Sequence, residues 1–175
     1  MKNIRIVSTL ALTAIFFTGA AQAHNEDSEL KFRGGLGYSS LEGNHSAINA
    51  TVGLELNQYI GLNFDLYKGT NNDLDYRGGG FALELGYNFE LPNSFEIRPF
   101  IEGGMTTGVM NNTGYFPEEI GTKGGHLGFS SNIGLRVQHN EIPAYAEFKT
   151  DIHTSHSDAR FLPENTFLVG FRLPL

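Results

Sequence analysis

The feature that most constrains this chain is a strict alternation of apolar and polar residues, repeated in eight runs from Leu30 to the last residue. The clearest run sets Phe81, Leu83, Leu85, Tyr87 and Phe89 against Glu84, Asn88 and Glu90. The last sets Phe167, Val169, Phe171, Leu173 and Leu175 against Thr166 and Arg172. A period of two over eight to twelve residues describes a strand with two chemically different faces, and helical spacing fits none of the runs. An even number of such strands lets an antiparallel sheet close on itself and lose its edges. The expected fold is all-β, a closed eight-stranded antiparallel up-and-down barrel.

The connections carry a second pattern. Those after the second, fourth and sixth runs are short: Asn57-Gln58, Leu91 to Ser94, and His139 to Ile142. Those after the third, fifth and seventh are long: Lys68–Gly79, Thr107–Gly124 and Thr154–Pro163. The first, Glu42–Ser46, is intermediate. Long ends alternating with short ends are the habit of a bacterial outer-membrane barrel, which puts short turns in the periplasm and long loops outside the cell.

The N-terminus agrees. Lys2 and Arg5 precede an apolar stretch from Ile6 to Phe17, and Ala21-Gln22-Ala23 offers a small-x-small cleavage site. Residues 1–23 therefore read as a secretory signal peptide and residues 24–175 as the barrel domain. The apolar stretch is shorter than the ~20 residues of a membrane-spanning helix. Removing the leader leaves ten basic and nineteen acidic residues, a formal charge of −9. That balance argues against a nucleic-acid partner. The chain has no cysteine, which excludes disulfides and thiolate zinc sites.

Alternation alone does not say which face is inside. Mid-strand charges of both signs, on a face also rich in glycine, suit the crowded bore of a small barrel better than an open surface. A lumen charge network is expected from Arg33, Glu84, Arg98, Glu102, Arg136, Glu147, Lys149 and Arg172. Turn positions put Arg136 opposite Glu147, and Arg98 near Asn88 with Glu84 and Glu102 in diagonal reach. The alternative is a secreted, soluble lipocalin-like binding barrel, with the apolar face inward.

The export signal, Gly34-Gly-Leu-Gly-Tyr-Ser-Ser40, Val52-Gly-Leu-Glu-Leu56, Glu84-Leu-Gly-Tyr-Asn-Phe89, Arg98-Pro-Phe-Ile-Glu-Gly-Gly104 and the terminal strand together resemble the small eight-stranded outer-membrane β-barrel family. That family comprises OmpA-like transmembrane domains, OmpX-like proteins and opacity-type surface proteins of Gram-negative bacteria. The resemblance covers residues 24–175. It implies residence in the outer membrane and a monomer without cofactor. It implies contact with outer-membrane lipid and lipopolysaccharide, and a non-enzymatic structural, adhesion or envelope-stress role with host or envelope partners met by the loops. The chain departs from the family in ending on Leu175 rather than Phe and in lacking tryptophan. Tyr38, Tyr59, Tyr67, Tyr87, Phe89 and Phe95 are expected to form the aromatic girdles instead. No periplasmic domain is expected after the barrel.

One segment, Asp151 to Asp158, carries catalytic vocabulary. Its His-x-Ser, followed by Glu164, resembles the lipid A 3-O-deacylase barrel family. That resemblance implies His153 as base, Ser155 as nucleophile and Glu164 as the acid orienting the imidazole. The chain carries His156 where that family has Asn. Strict alternation would put His153 and Ser155 on the lumen face with Lys149, so outward placement needs a β-bulge near Thr150–Ile152. His153, His156, Asp151 and Asp158 could also offer donors to a metal. The bland reading of the segment is a polar surface loop, and no metal is expected. Neither Gly34-Gly35-Leu36-Gly37 nor Gly78-Gly79-Gly80 opens a helix, so neither is a phosphate loop.

Overall fold

The computed structural model describes residues 30–41, 45–71, 74–112, 124–155 and 163–175. The expected signal sequence and cleavage site, His156 and Asp158 lie outside the described residues. Strands run β1 (Lys31–Leu41), β2 (His45–Glu55), β3 (Ile60–Asn71), β4 (Leu74–Gly86), β5 (Phe89–Leu91), β6 (Phe95–Asn112), β7 (Gly124–His139), β8 (Tyr145–Ser155) and β9 (Pro163–Pro174). Except for β4 and β5, each strand pairs antiparallel with its chain neighbour; β1 pairs with β9, and β4 pairs with β6. The sheet is therefore closed.

β4 and β5 are two lengths of one stave, because their registers on β6 are continuous (Gly86 opposite Phe100, Phe89 opposite Ile97). The interruption faces Pro99. Tyr87 N–H donates to Pro99 O at 3.3 Å, and proline has no N–H to return the bond. Counted this way, the barrel has eight staves.

The registers fix its shape. One circuit runs from Gly86 through Phe100, Gly134, Lys149, Thr166, Ser39, Ala47 and Gly69, and returns to β4 at Tyr76. The return falls ten residues from the start. A shear of ten over eight staves implies a strand tilt of about 40° and a backbone radius of about 8 Å.

Burial settles which face is inside. Arg33, Glu84, Arg98 and Arg136 are 0% exposed, whereas Ile48 is 70% and Leu66 67% exposed. Charges fill the bore and apolar side chains form the outer wall. The lipocalin-like alternative is thereby overturned, since it requires the opposite. No helix among the described residues is long and apolar enough to cross a membrane; this chain crosses with strands.

The short turns carry their own local chemistry. Asn57 Oδ1 accepts from the N–H groups of Tyr59 and Ile60, both at 2.8 Å, an Asx turn that reverses β2 into β3. Asn93 and Ser94 have φ of 65° and 61°, left-handed positions that tighten the Pro92 turn. Ser94 Oγ bonds Glu141 Oε1 at 2.9 Å, tying two neighbouring turns together.

Two expectations need correction. Lys68–Gly79 is not a long loop: β3 and β4 stay paired up to Asn71 opposite Leu74. The glycines belong to the strand because they make room. A Cβ on Gly78 would sit 2.1 Å from the Tyr67 ring. Tyr67 itself is buried in the bore and joins no girdle, because odd positions of β3 face inward. At the short-turn end Tyr59 packs on Tyr87 (5.7 Å between centroids) and Tyr87 on Phe89 (4.8 Å), while Tyr38 is exposed nearer the other end. The remaining long connections, 113–123 and 156–162, lie outside the described residues.

Candidate functional site

Inside the barrel, the eight residues singled out for a charge network all occupy inward strand positions and are buried. Glu84 is the hub. Its carboxylate accepts from Arg98 Nε at 2.7 Å, Arg136 Nη2 at 2.6 Å and Arg33 Nη2 at 3.0 Å. Glu147 pairs with Arg136 directly across β7 and β8, Oε2 to Nε at 2.7 Å, and reaches Arg33 Nη1 at 3.3 Å.

Three of the eight, Glu102, Lys149 and Arg172, sit apart from the hub. Lys149 Nζ bridges Glu102 (2.9 Å) and Asp65 (2.7 Å), so Glu102 serves the lysine and not Arg98. Arg98 turns instead to Asn88 Oδ1 at 3.0 Å and the Gln58 carbonyl at 2.7 Å. Arg172 pairs with none of the other seven: it lies 2.9 Å from Glu55 and 3.2 Å from Glu96.

Glu55, Asp65, Glu96 and Asn63 complete the bore. Asn63 joins its two halves, accepting from Arg33 Nη2 at 2.6 Å and donating to Glu84 and Glu102, both at 2.9 Å. Their inward parity was visible in the sequence, but an asparagine gives no signal that it will link two carboxylates. Thr51 bonds Asp65, and Gln138 bonds Glu96. Aromatic rings flank the central guanidinium: Arg136 Cζ stands 5.0 Å from the Phe100 centroid and 5.8 Å from that of Tyr145. Above this layer, a cavity of about 40 Å³ is lined by Asn49, Asp65, Glu102, Asn132 and Lys149 among others. That is room for a few waters.

The rim holds the other candidates. His153 stands in register with Ser131 and Ser155 with Phe129, because the register shifts between Ser131 and Asn132 and leaves Ile152 unpaired on β7. Strict alternation puts both residues in lumen register; the bulge instead aligns their backbone with Phe129, an exposed outer-wall position. Glu164 is exposed and is the extra residue at a second irregularity, between the pairs Ser40–Asn165 and Leu41–Pro163. The side chains of His153 and Ser155 lie outside the described part of the structure. Asp151 lines the cavity, in register with Asn132.

The model of the outer membrane protein beta-barrel domain family matches residues 9–171. Comparison with curated proteins gives no match. Among solved structures the chain is similar to Neisserial surface protein A, at 10% identity and TM-score 0.48, over 83% of this chain and 96% of that one. It is also similar to the N-terminal β-barrel domain of Pseudomonas aeruginosa OprF, at 14% identity and TM-score 0.46, over 85% and 96%. A third is Ail, the attachment invasion locus protein of Yersinia pestis, in complex with the heparin analogue sucrose octasulfate, at 14% identity and TM-score 0.43, over 83% and 99%. Charged bore, apolar outer wall, closed antiparallel sheet and family match agree: the chain belongs to the outer-membrane protein β-barrel domain family, and its place is the outer membrane of a Gram-negative bacterium.

Proposed function

We propose that this barrel is a monomeric, non-enzymatic surface protein whose bore is plugged by its own side chains. Its extracellular connections then make the contacts with host or envelope partners. The observation that carries this reading is the buried hub at Glu84, on which guanidinium groups from three staves converge. A backbone radius of about 8 Å leaves room for side chains and little else. Each of these ions would be costly to strand without its partner, so the network resists opening. Function on such a scaffold moves to the loops. Planar-bilayer recording of pure refolded protein tests the plug: silence is expected, and stable, sizeable single-channel steps would refute it.

A second reading, lipid A 3-O-deacylation by Ser155 with His153 and Glu164, draws support from the bulge at Ile152, the register change that outward placement requires. Mass spectrometry of lipid A from cells with and without the protein separates the two. Loss of a 3-linked acyl chain, abolished by Ser155→Ala, would favour the enzyme; unchanged lipid A would favour the plugged surface barrel.

A further inference from the structure

The charges in the bore fall into two layers of unequal balance. In the lower layer four buried arginines, Arg33, Arg98, Arg136 and Arg172, pair with four buried glutamates, Glu55, Glu84, Glu96 and Glu147. That layer is neutral within itself. The cavity above it is not. Among the described residues that line the cavity, Asp65, Glu102 and Asp151 are acidic and Lys149 alone is basic. Lys149 Nζ lies between Asp65 and Glu102, at 2.7 and 2.9 Å, so one ammonium serves two carboxylates. Asp151 adds a third acid to the same wall. Excess charge of one sign in an enclosed site is costly, and it draws counterions in.

A second observation is independent of charge. Asn49 is 1% exposed and lines the same cavity. Its Nδ2 donates to Ser39 Oγ at 3.2 Å, while its carbonyl Oδ1 is buried without a donor. Thr106 Oγ1, at the same wall, is another buried oxygen with no hydrogen-bond partner. A buried oxygen in this position calls for a donor or a cation. Asn132 stands opposite both Glu102 and Asp151 and spends its Nδ2 on Glu102 at 2.9 Å, which leaves its own Oδ1 as an acceptor. Acceptors therefore outnumber donors at this level of the bore.

A set of oxygen acceptors selects a hard cation. Among the described residues no three acidic or imidazole side chains converge as a ready-made metal chelate, so the ion must accept neutral oxygens and keep part of its water. Ca²⁺ does this, taking about six to eight oxygens in flexible geometry, whereas Mg²⁺ demands a near-ideal octahedron. A cavity of about 40 Å³ admits an ion with about two waters. We propose that the cavity above the plug is a calcium site. Asn49 Oδ1, Thr106 Oγ1 and the Asp151 carboxylate supply ligands, and Asp65 and Glu102, still holding Lys149, supply the surrounding negative field. The site lies above the Glu84 hub and stands whether or not the bore conducts.

Tyrosine-sensitised terbium luminescence of the refolded protein in uncharged detergent tests this, because Tyr67 lines the cavity and the chain has no tryptophan. Saturable Tb³⁺ emission is expected, displaced by Ca²⁺ and by Mg²⁺ only at concentrations on the order of tenfold higher. Tyr67→Phe is expected to remove most of the emission while calorimetry still reads Ca²⁺ binding by that variant. Asn49→Ala and Asp151→Asn are each expected to weaken Ca²⁺ binding on the order of tenfold or more. Glu90→Gln, at an exposed carboxylate of the short-turn end, is expected to leave it unchanged. Heat-modifiable migration verifies that each variant has folded. Unchanged Ca²⁺ binding by folded Asn49→Ala and Asp151→Asn, or unchanged emission from Tyr67→Phe, would overturn the site. Equal displacement of Tb³⁺ by Na⁺ at matched ionic strength, or by Mg²⁺ at equal concentration, would overturn the assignment to calcium.

Discussion

Arg33 and Glu84 stand on β1 and β4, staves separated by two others, yet Arg33 Nη2 lies 3.0 Å from Glu84 Oε2 across the bore. Along the wall the neighbours have like charge: Arg33 faces Arg172, Arg98 faces Arg136 and Glu84 faces Glu102. Such pairs repel, so each charge must find its counterion elsewhere. Glu147 opposite Arg136 and Lys31 opposite Glu55 bring opposite charges together along the wall. Arg98 reaches Glu84 and Arg33 reaches Glu55 between adjacent staves, while the bonds of Arg33 and Arg136 to Glu84 and of Lys149 to Asp65 run across the lumen and occupy its cross-section.

This arrangement predicts that Glu84→Gln, which keeps shape and removes charge, destabilises the barrel by about 3–5 kcal/mol. Much of that cost is the charge left unpaired, so adding Arg136→Met to Glu84→Gln is expected to recover part of it. Urea titration of folded protein in lipid vesicles, with a double-mutant cycle, checks both. Additive losses would show that the two residues do not share one network.

How much of this could be read from the sequence depends on how local each feature is. Parity is local, so the inward and outward faces of Phe81–Glu90 were legible. The hub at Glu84 was not, because the contacts of Arg33 and Arg136 with it depend on the shear, which is a sum of registers around the whole circuit. Lys68–Gly79 misled for a different reason. Glycines and asparagines usually mark a loop, but Gly78 is a strand position kept small for the ring of Tyr67. The bulge at Ile152 has no signature in its own residues; it is seen only as a shift between Ser131 and Asn132 on the partner strand.

If the cross-bore bonds are the plug, truncating them should open it. The triple variant Arg33→Ser, Glu84→Ser, Arg136→Ser removes the three side chains that meet at the centre. Single-channel steps in planar bilayers are expected from this variant where the parent gives none. A folded triple variant that stays silent would place the barrier elsewhere in the bore.

The aromatic lining makes a separate demand on glycine. A Cβ on Gly134 would lie 2.2 Å from Cζ of Phe100, a fixed ring wedged against Arg136. Gly134→Val should therefore impair folding, with a loss of about 1–3 kcal/mol or more from overpacking. Phe100→Ala is expected to cost stability alone and to rescue Gly134→Val when combined. The fraction of heat-modifiable, folded protein after refolding measures each step, and failure of the rescue would mean that the ring is not what excludes the side chain.

Pro99 offers the opposite kind of test, a substitution expected to stabilise. It lies exposed on the outer wall of β6, opposite the break between β4 and β5. Tyr87 already donates to its carbonyl, so the backbone is positioned for the reciprocal bond and lacks only a hydrogen. Pro99→Val supplies the N–H, suits a strand and presents an apolar side chain to lipid. In hydrocarbon an unpaired carbonyl is costly, so one more ladder bond should add about 0.5–1.5 kcal/mol. Unfolding in urea would report the gain, and slowed amide exchange from Tyr87 to Phe89 would locate it. Unchanged exchange in a folded variant would show that the stave is interrupted for some reason other than the missing donor.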